Sequence, residues 1–174
     1  IISDHPVTIY NYACAPDLEI CTYPNDPPTA WKASQTIFPL DLNHCFILTN
    51  LEYARDPDKV DPLVSRTNSR YFAQTLTRWD HVIRTRRLKS EEVCSINYIL
   101  KKRSKKYIAA SQQEWLYPEK ALQNDEWKSF RKILLPPRNE VWKFGGEVYV
   151  GGKDGKLIWH QDDFGRRHTS RDDI

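Results

Sequence analysis

Apolar positions first alternate along the chain, then shift to helical spacing, and then return to alternation. A short extended run, Ile1-Ile2, is followed by a second, Val7-Thr8-Ile9-Tyr10, with apolar side chains at alternate positions. Between them Ser3-Asp4-His5-Pro6 marks a kink. Pro6 holds His5 out of helical geometry, and the Asp4 carboxylate can accept backbone amides in a turn. Residues 15–29 hold four prolines with Asn25 and Asp26, which is loop chemistry. Thr36-Ile37-Phe38 and Cys45-Phe46-Ile47-Leu48-Thr49 predict an antiparallel pair, joined through Pro39-Leu40-Asp41-Leu42-Asn43-His44. Residues 56–62 form an acidic, proline-bounded loop.

Helical spacing begins at Ser90, read as an N-cap, with Glu91 and Glu92 in the first turn. Val93, Ile96, Leu100 and Tyr107 or Ile108 follow on one face, predicting a basic amphipathic helix over about 90–111. Lys101, Lys102, Arg103, Lys105 and Lys106 crowd its remaining surface. Asn97 lies close to the apolar stripe and needs a hydrogen-bond partner if buried; bridging backbone groups between helix and sheet is the structural role it suggests. A shorter helix is expected over 124–134, with Trp127, Phe130 and Leu134 on one face and Pro136-Pro137 ending it. Glu147-Val148-Tyr149-Val150 and Lys156-Leu157-Ile158-Trp159-His160 flank an Asp-Gly turn, a hairpin signal. Together these predict an α+β fold, a mostly antiparallel sheet packed by the long basic helix and the shorter one.

Composition narrows the class. At 174 residues and 40% hydrophobic the chain suits a single core and a single domain, and its six tryptophans and nine tyrosines exclude a disordered chain. No apolar run approaches the roughly 18 residues of a membrane span. The absence of methionine and the apolar opening suggest the C-terminal part of a larger protein, whose N-terminal part would then be its partner in the fold. Cys14, Cys21, Cys45 and Cys94 form no C-x-x-C pair, so free thiols in a cytoplasmic protein are expected, with a Cys14–Cys21 bridge as the alternative. Net charge is +3 but unevenly spread. Residues 1–63 hold 3 basic and 9 acidic side chains, residues 64–113 hold 12 and 3, and residues 114–174 hold 11 of each.

Read in order, several segments resemble a bacterial and fungal family known as domain of unknown function 4238. Ile1-Ile2-Ser3-Asp4-His5-Pro6-Val7 looks like its I-[ST]-S-D-x-P-V signature, and Phe38-Pro39-Leu40-Asp41 is similar to its x-P-L-[SD] strand end. Asn97 followed by Lys105-Lys106-Tyr107-Ile108 resembles its asparagine-bearing helix and A-x-R-Y-[IV] run, with Lys106 where arginine is usual. The resemblance covers about residues 1–110 and implies fold and boundary only, because the family has no assigned activity. Its usual H-Y-x-P-[QR]-x-[YL]-L opening is not in this chain, and the basic stretch 72–89 is a departure.

Three readings of the chemistry follow. One is contact with nucleic acid or another polyanion through residues 78–106, where Arg84, Arg86, Arg87, Lys101, Lys102, Arg103, Lys105 and Lys106 interleave with Trp79, His81 and Tyr98. Against it, lysines on a helix face are ordinarily solubilising, and the acidic first third could neutralise the stripe within the molecule. A second reading is a hydrolase or nuclease-like site at Asp4 and His5, with Asp41 and His44 at a comparable strand end. The plainer alternative is that Asp4 caps a turn. In a third, the chain is a structural half-domain without its own activity. His160 with Asp162 and Asp163 has a metal-like composition in a polar tail that reads as solvated charge, so no metal site is assigned, and no phosphate-binding or nucleophile motif occurs.

Overall fold

A computed structural model describes residues 1–21, 26–66 and 86–135, together with the strand backbones 148–151, 157–161 and 167–168. The chain separates into two compact units, Ile1–Ser65 with Arg87–Pro136 and Arg66–Arg86 with Pro137–Ile174. The sequence suggested one domain.

The first unit is built on an antiparallel sheet of β2 (Thr8–Tyr10), β3 (Gln35–Pro39) and β4 (Cys45–Thr49), with Tyr10 opposite Gln35 and Ile37 opposite Ile47. The expected strand pair 36–38 with 45–49 is present. A second, two-stranded sheet joins β1 (Ile2–Ser3) to β5 (Ile108–Ala109). Two helices complete the regular structure, α1 (Leu51–Arg55) and α2 (Ser90–Arg103). The sequence reading missed α1, whose Asn50 side chain accepts the Glu52 amide at 2.9 Å, an N-cap signal.

Helix α2 is shorter than the 90–111 expected. Lys89, not Ser90, is its N-cap, with its amide donating to the Glu92 carboxylate at 2.7 Å. The helix stops at Arg103 because Ser104 turns to extended geometry (φ −66°, ψ 146°), and residues 108–109 pair with β1 instead. The buried stripe is Ile96, Ile99, Leu100 and Arg103, while Val93 is exposed. The segment expected as a short α-helix over 124–134 is a 3₁₀ helix, Trp127–Lys132. Side chains fasten it to the sheet: Tyr10 Oη donates to the Trp127 carbonyl at 2.8 Å, and Trp127 Nε1 donates to the Asn11 carbonyl at 2.9 Å.

The core gathers Tyr10 and Ile37 from the sheet, Ile96, Tyr98, Ile99 and Leu100 from α2, and Phe130 and Leu134 beyond it. Cys14 and Cys21 form a buried disulfide, Cα atoms 5.9 Å apart, which corrects the expectation of four free thiols and removes the premise that led from them to a reducing cytosol. Cys45 and Cys94 are free.

The second unit contains the predicted hairpin, β6 (Val148–Gly151) against β7 (Leu157–Gln161), extended by an unpredicted third strand, β8 (Arg167–His168). Among the described residues no helix is long and apolar enough to cross a membrane.

Ile99 is fully buried at the centre of the core. Ile99→Ala should lower unfolding free energy by about 2–5 kcal/mol, as for other buried aliphatic truncations. Urea denaturation followed by tryptophan fluorescence measures this; a loss below about 1 kcal/mol would mean that α2 does not anchor the core.

Candidate cleft lined by His5 and the α2 lysines

Two sets of candidates from distant sequence positions meet where α2 ends. The kink after β1 and the residues after Arg103 line one open cleft of about 580 Å³, with Asp4, His5, Pro16, Cys21, Asp26, Lys102, Arg103, Ser104, Lys105 and Lys106 in its walls. The local chemistry of each wall explains the meeting.

The kink is fixed by hydroxyls. Ser3 Oγ accepts the His5 amide at 3.1 Å and donates to the His5 carbonyl at 3.0 Å, and Thr8 Oγ1 donates to the same carbonyl at 3.2 Å. Asp4 then faces the chain leaving α2, where its Oδ1 accepts the Lys105 amide at 2.9 Å and its Oδ2 the Lys106 amide at 2.8 Å. Its own amide donates to the Tyr107 carbonyl at 3.1 Å. Desolvation pushes the Asp4 pKa up, but backbone donors from Lys105, Lys106 and Tyr107 outweigh it and hold the carboxyl below its usual range. A carboxylate so occupied is a poor general base. Asp4 is the cap that joins the kink to the end of α2.

His5 meets a different carboxylate. Its Nε2 lies 2.7 Å from Asp26 Oδ2, within ion-pair distance but out of line for a hydrogen bond. Asp26 in turn pairs through Oδ1 with Arg103 Nη2, and Arg103 Nη1 donates to the Cys21 carbonyl at 2.7 Å. The Arg103 side chain is only 4% exposed. The sequence reading put Arg103 among the surface cations; Ile96, Ile99 and Leu100 carry the helical stripe straight to it, and its burial is tolerated because its polar ends are matched.

The other candidates disperse. Lys101 Nζ donates to the Leu116 carbonyl at 2.7 Å and to Glu119 Oε1 at 2.8 Å, so it does not line the cleft. Lys102 stays in the cleft wall, with its Nζ 5.4 Å from the centre of the Tyr98 ring. Arg86 and Arg87 are not in the cleft walls, and Arg84 lies outside the described residues, as do Trp79 and His81. Asn97 Oδ1 accepts from the Ile1 nitrogen at 3.1 Å, linking α2 to the residue before β1. Asp41 and His44 bond to each other at 2.8 Å in the exposed β3–β4 turn and take no part in the cleft. His160 stands on β7 opposite Tyr149 and His168, while Asp162 and Asp163 are outside the described residues. Among the described residues no group of three His, Cys, Asp or Glu side chains is placed to hold a metal ion.

The sequence reading missed Asp26 and Cys21. The one signal available was the acidity of the first third beside a basic middle, which indicated neutralisation within the molecule without saying by which residue.

Asp4 gives a pH signature. A folded carboxyl held below its unfolded value of 3.8 contributes stability above that pH, and the contribution is lost as pH falls through the folded value. Asp4→Asn should therefore be less stable than wild type near neutrality, with the difference closing in strong acid. Urea midpoints of both proteins across the acid range measure it, and a gap that stays constant with pH would rule out the capping role. No family model, curated protein or solved structure matches this chain, so its reading rests on the geometry of the cleft.

Proposed function

We propose that the cleft at the end of α2 binds a phosphate-bearing ligand, either a small phosphorylated molecule or the backbone of a single-stranded nucleic acid. The observation that supports this most is the balance of charge in its walls. Three lysines, Lys102, Lys105 and Lys106, line the cleft with two carboxylates, of which Asp4 is held by backbone amides and Asp26 is paired with the buried Arg103. The field left for a ligand is positive, with His5 as an added polar contact. A volume of about 580 Å³ lies within the ~300–1,000 Å³ of small-ligand sites. Among the described residues the polyanion reading of 78–106 centres on the end of α2, with Lys101 paired to Glu119 instead.

Binding of a mononucleotide, of inorganic pyrophosphate and of a labelled single-stranded oligonucleotide should each be salt-sensitive. Three lysine–phosphate contacts give a slope of about −2 for log affinity against log salt, so a fourfold rise in salt should cost roughly 15- to 20-fold in oligonucleotide affinity. Lys102→Glu with Lys106→Glu should weaken binding of all three probes at least as much. Binding unaffected by salt and by these substitutions would remove the proposal.

A second reading, a phosphodiester hydrolase, is favoured by the 2.7 Å approach of His5 Nε2 to Asp26. In that reading the other ring nitrogen takes a proton from water, the resulting hydroxide bonds to phosphorus, and the P–O bond to the leaving alkoxide breaks. The alkoxide is reprotonated by the imidazolium. Asp26 replaces Asp4 as the carboxylate beside His5, its charge stabilising the imidazolium that forms. His5→Asn and Asp26→Asn should then each reduce turnover of an activated phosphodiester by about 10²-fold or more. Turnover in His5→Asn equal to wild type would exclude this reading while leaving binding untouched.

A further inference from the structure

We infer that the ligand of this cleft is a nucleotide with an unpaired base, held by its phosphate at the lysines after α2 and by its base on the exposed ring of Tyr107. The inference rests on the cleft being the phosphate site and names the class of molecule that fills it.

The backbone of Tyr107 is fixed beside the cleft. Lys105 and Lys106 are in the wall, and Tyr107 follows them, one step of about 3.8 Å between Cα atoms. Its carbonyl accepts the Asp4 amide at 3.1 Å, which carries the β1–β5 ladder, where Ser3 pairs with Ile108, one residue further toward the kink. The amides of Lys105 and Lys106 are taken by the Asp4 carboxylate at 2.9 and 2.8 Å. The chain from 105 to 108 is therefore pinned to β1 and to Asp4, itself a wall of the cleft. Along an extended segment successive side chains point to opposite faces. Here Ile108 is half-buried, and Tyr107 keeps 70% of its surface in water.

The Tyr107 ring is distinguished by holding nothing else in place. The other tyrosines whose side chains the structure describes, Tyr10, Tyr12, Tyr53, Tyr98 and Tyr117, each donate a hydrogen bond, pack on a second ring or lie under a cation. Among the described residues the Tyr107 side chain has no hydrogen bond, ring contact or cation partner, and the Lys106 ammonium has no ion-pair partner. An unengaged cation and an unengaged aromatic face thus stand on consecutive residues at the rim of the cleft.

That pairing fits a molecule in which one short link joins a phosphate to a flat ring, and in a nucleotide the link is a single sugar. Aromatic side chains beside a cationic groove hold bases by stacking, whatever the base. The base must be unpaired, because in a duplex its neighbours cover both its faces. A flexible acyl chain would need an apolar groove, whereas the positions leading from α2 to Tyr107, namely Ser104, Lys105 and Lys106, are polar.

The test measures binding of adenosine 5′-monophosphate, ribose 5-phosphate, inorganic pyrophosphate and a labelled single-stranded oligonucleotide to wild type, Tyr107→Ala and Tyr107→Phe. Tyr107→Ala should lower affinity for the monophosphate and the oligonucleotide by about 5- to 100-fold, and Tyr107→Phe, which keeps the ring, should preserve it. Ribose 5-phosphate and pyrophosphate should bind all three proteins alike. In wild type the Tyr107 ring-proton resonances, assigned by their absence from Tyr107→Ala, should move upfield with adenosine monophosphate and stay in place with ribose 5-phosphate. Tighter binding of the oligonucleotide than of the monophosphate identifies a single strand as the source of the nucleotide, and the reverse a free nucleotide. Nucleotide affinity unchanged in Tyr107→Ala, or a loss in Tyr107→Phe as large as in Tyr107→Ala, overturns the inference, and pyrophosphate binding then leaves the cleft reading standing. Binding of none of the four probes removes the cleft reading and the inference with it. Should Tyr107→Ala lose pyrophosphate as well, the upfield shift in the wild-type protein decides.

Discussion

Arg103 is a cation placed where the helical repeat would otherwise put another aliphatic side chain, and much of the described unit is arranged to accommodate it. A guanidinium in a nearly closed environment loses water that only well-placed acceptors can replace, and removing one partner of such a pair costs about 3–5 kcal/mol. The acceptors here are a carbonyl at position 21 and a carboxylate at position 26, more than 75 residues away in the chain. Their positions require the proline-rich loop to be folded back against the end of α2. The loop in turn is closed by the Cys14–Cys21 bond and seated on Asn11. One buried charge thereby couples the end of a helix, a disulfide loop and the kink carrying His5.

Asp4 solves the adjoining problem. The chain leaving a helix exposes backbone groups that the helix no longer pairs, and here the two amides after Ser104 are taken by a single carboxylate from the opposite end of the unit. With the β1–β5 ladder beside it, the exit of α2 is held by side-chain and backbone bonds that reach across about a hundred residues. This explains why the helix ends at Arg103 although Lys105, Lys106 and Tyr107 have adequate helical propensity. Tertiary partners for the backbone outweigh a local preference worth only tenths of a kcal/mol per residue.

How legible this was depended on the range of each signal. Strands β2, β3 and β4 and the β6–β7 hairpin rest on alternation and turn chemistry within a few positions, and these were read close to their observed bounds. For Asp4 a local turn cap was read, but the kink is fixed by the Ser3 and Thr8 hydroxyls and Asp4 accepts the amides of Lys105 and Lys106 about a hundred residues away. The length of α2 was misjudged because its terminator lies at residue 4, outside any local window. Arg103 was read as a surface cation because periodicity was followed from Val93, which is exposed, rather than from Ile99, which is not. The carboxylate that stands beside His5, Asp26, lay out of reach for the same reason of range. Asp4 is the neighbour of His5 in sequence, but adjacent residues in an extended kink point apart, and the carboxylate that reaches the imidazole comes from a loop. Cysteine spacing left free thiols and a Cys14–Cys21 bridge both open, and only the folded loop decides between them.

The cleft's character follows from the division of labour among these charges. Had Asp4 and Asp26 been free, they would have opposed the lysines across the cleft and left a site of mixed sign. Each is instead used up by a structural demand, Asp4 by the helix exit and Asp26 by Arg103, so the lysines at 102, 105 and 106 face the opening against carboxylates already engaged. The contacts that hold the unit together thus also set the charge left in the wall of the cleft.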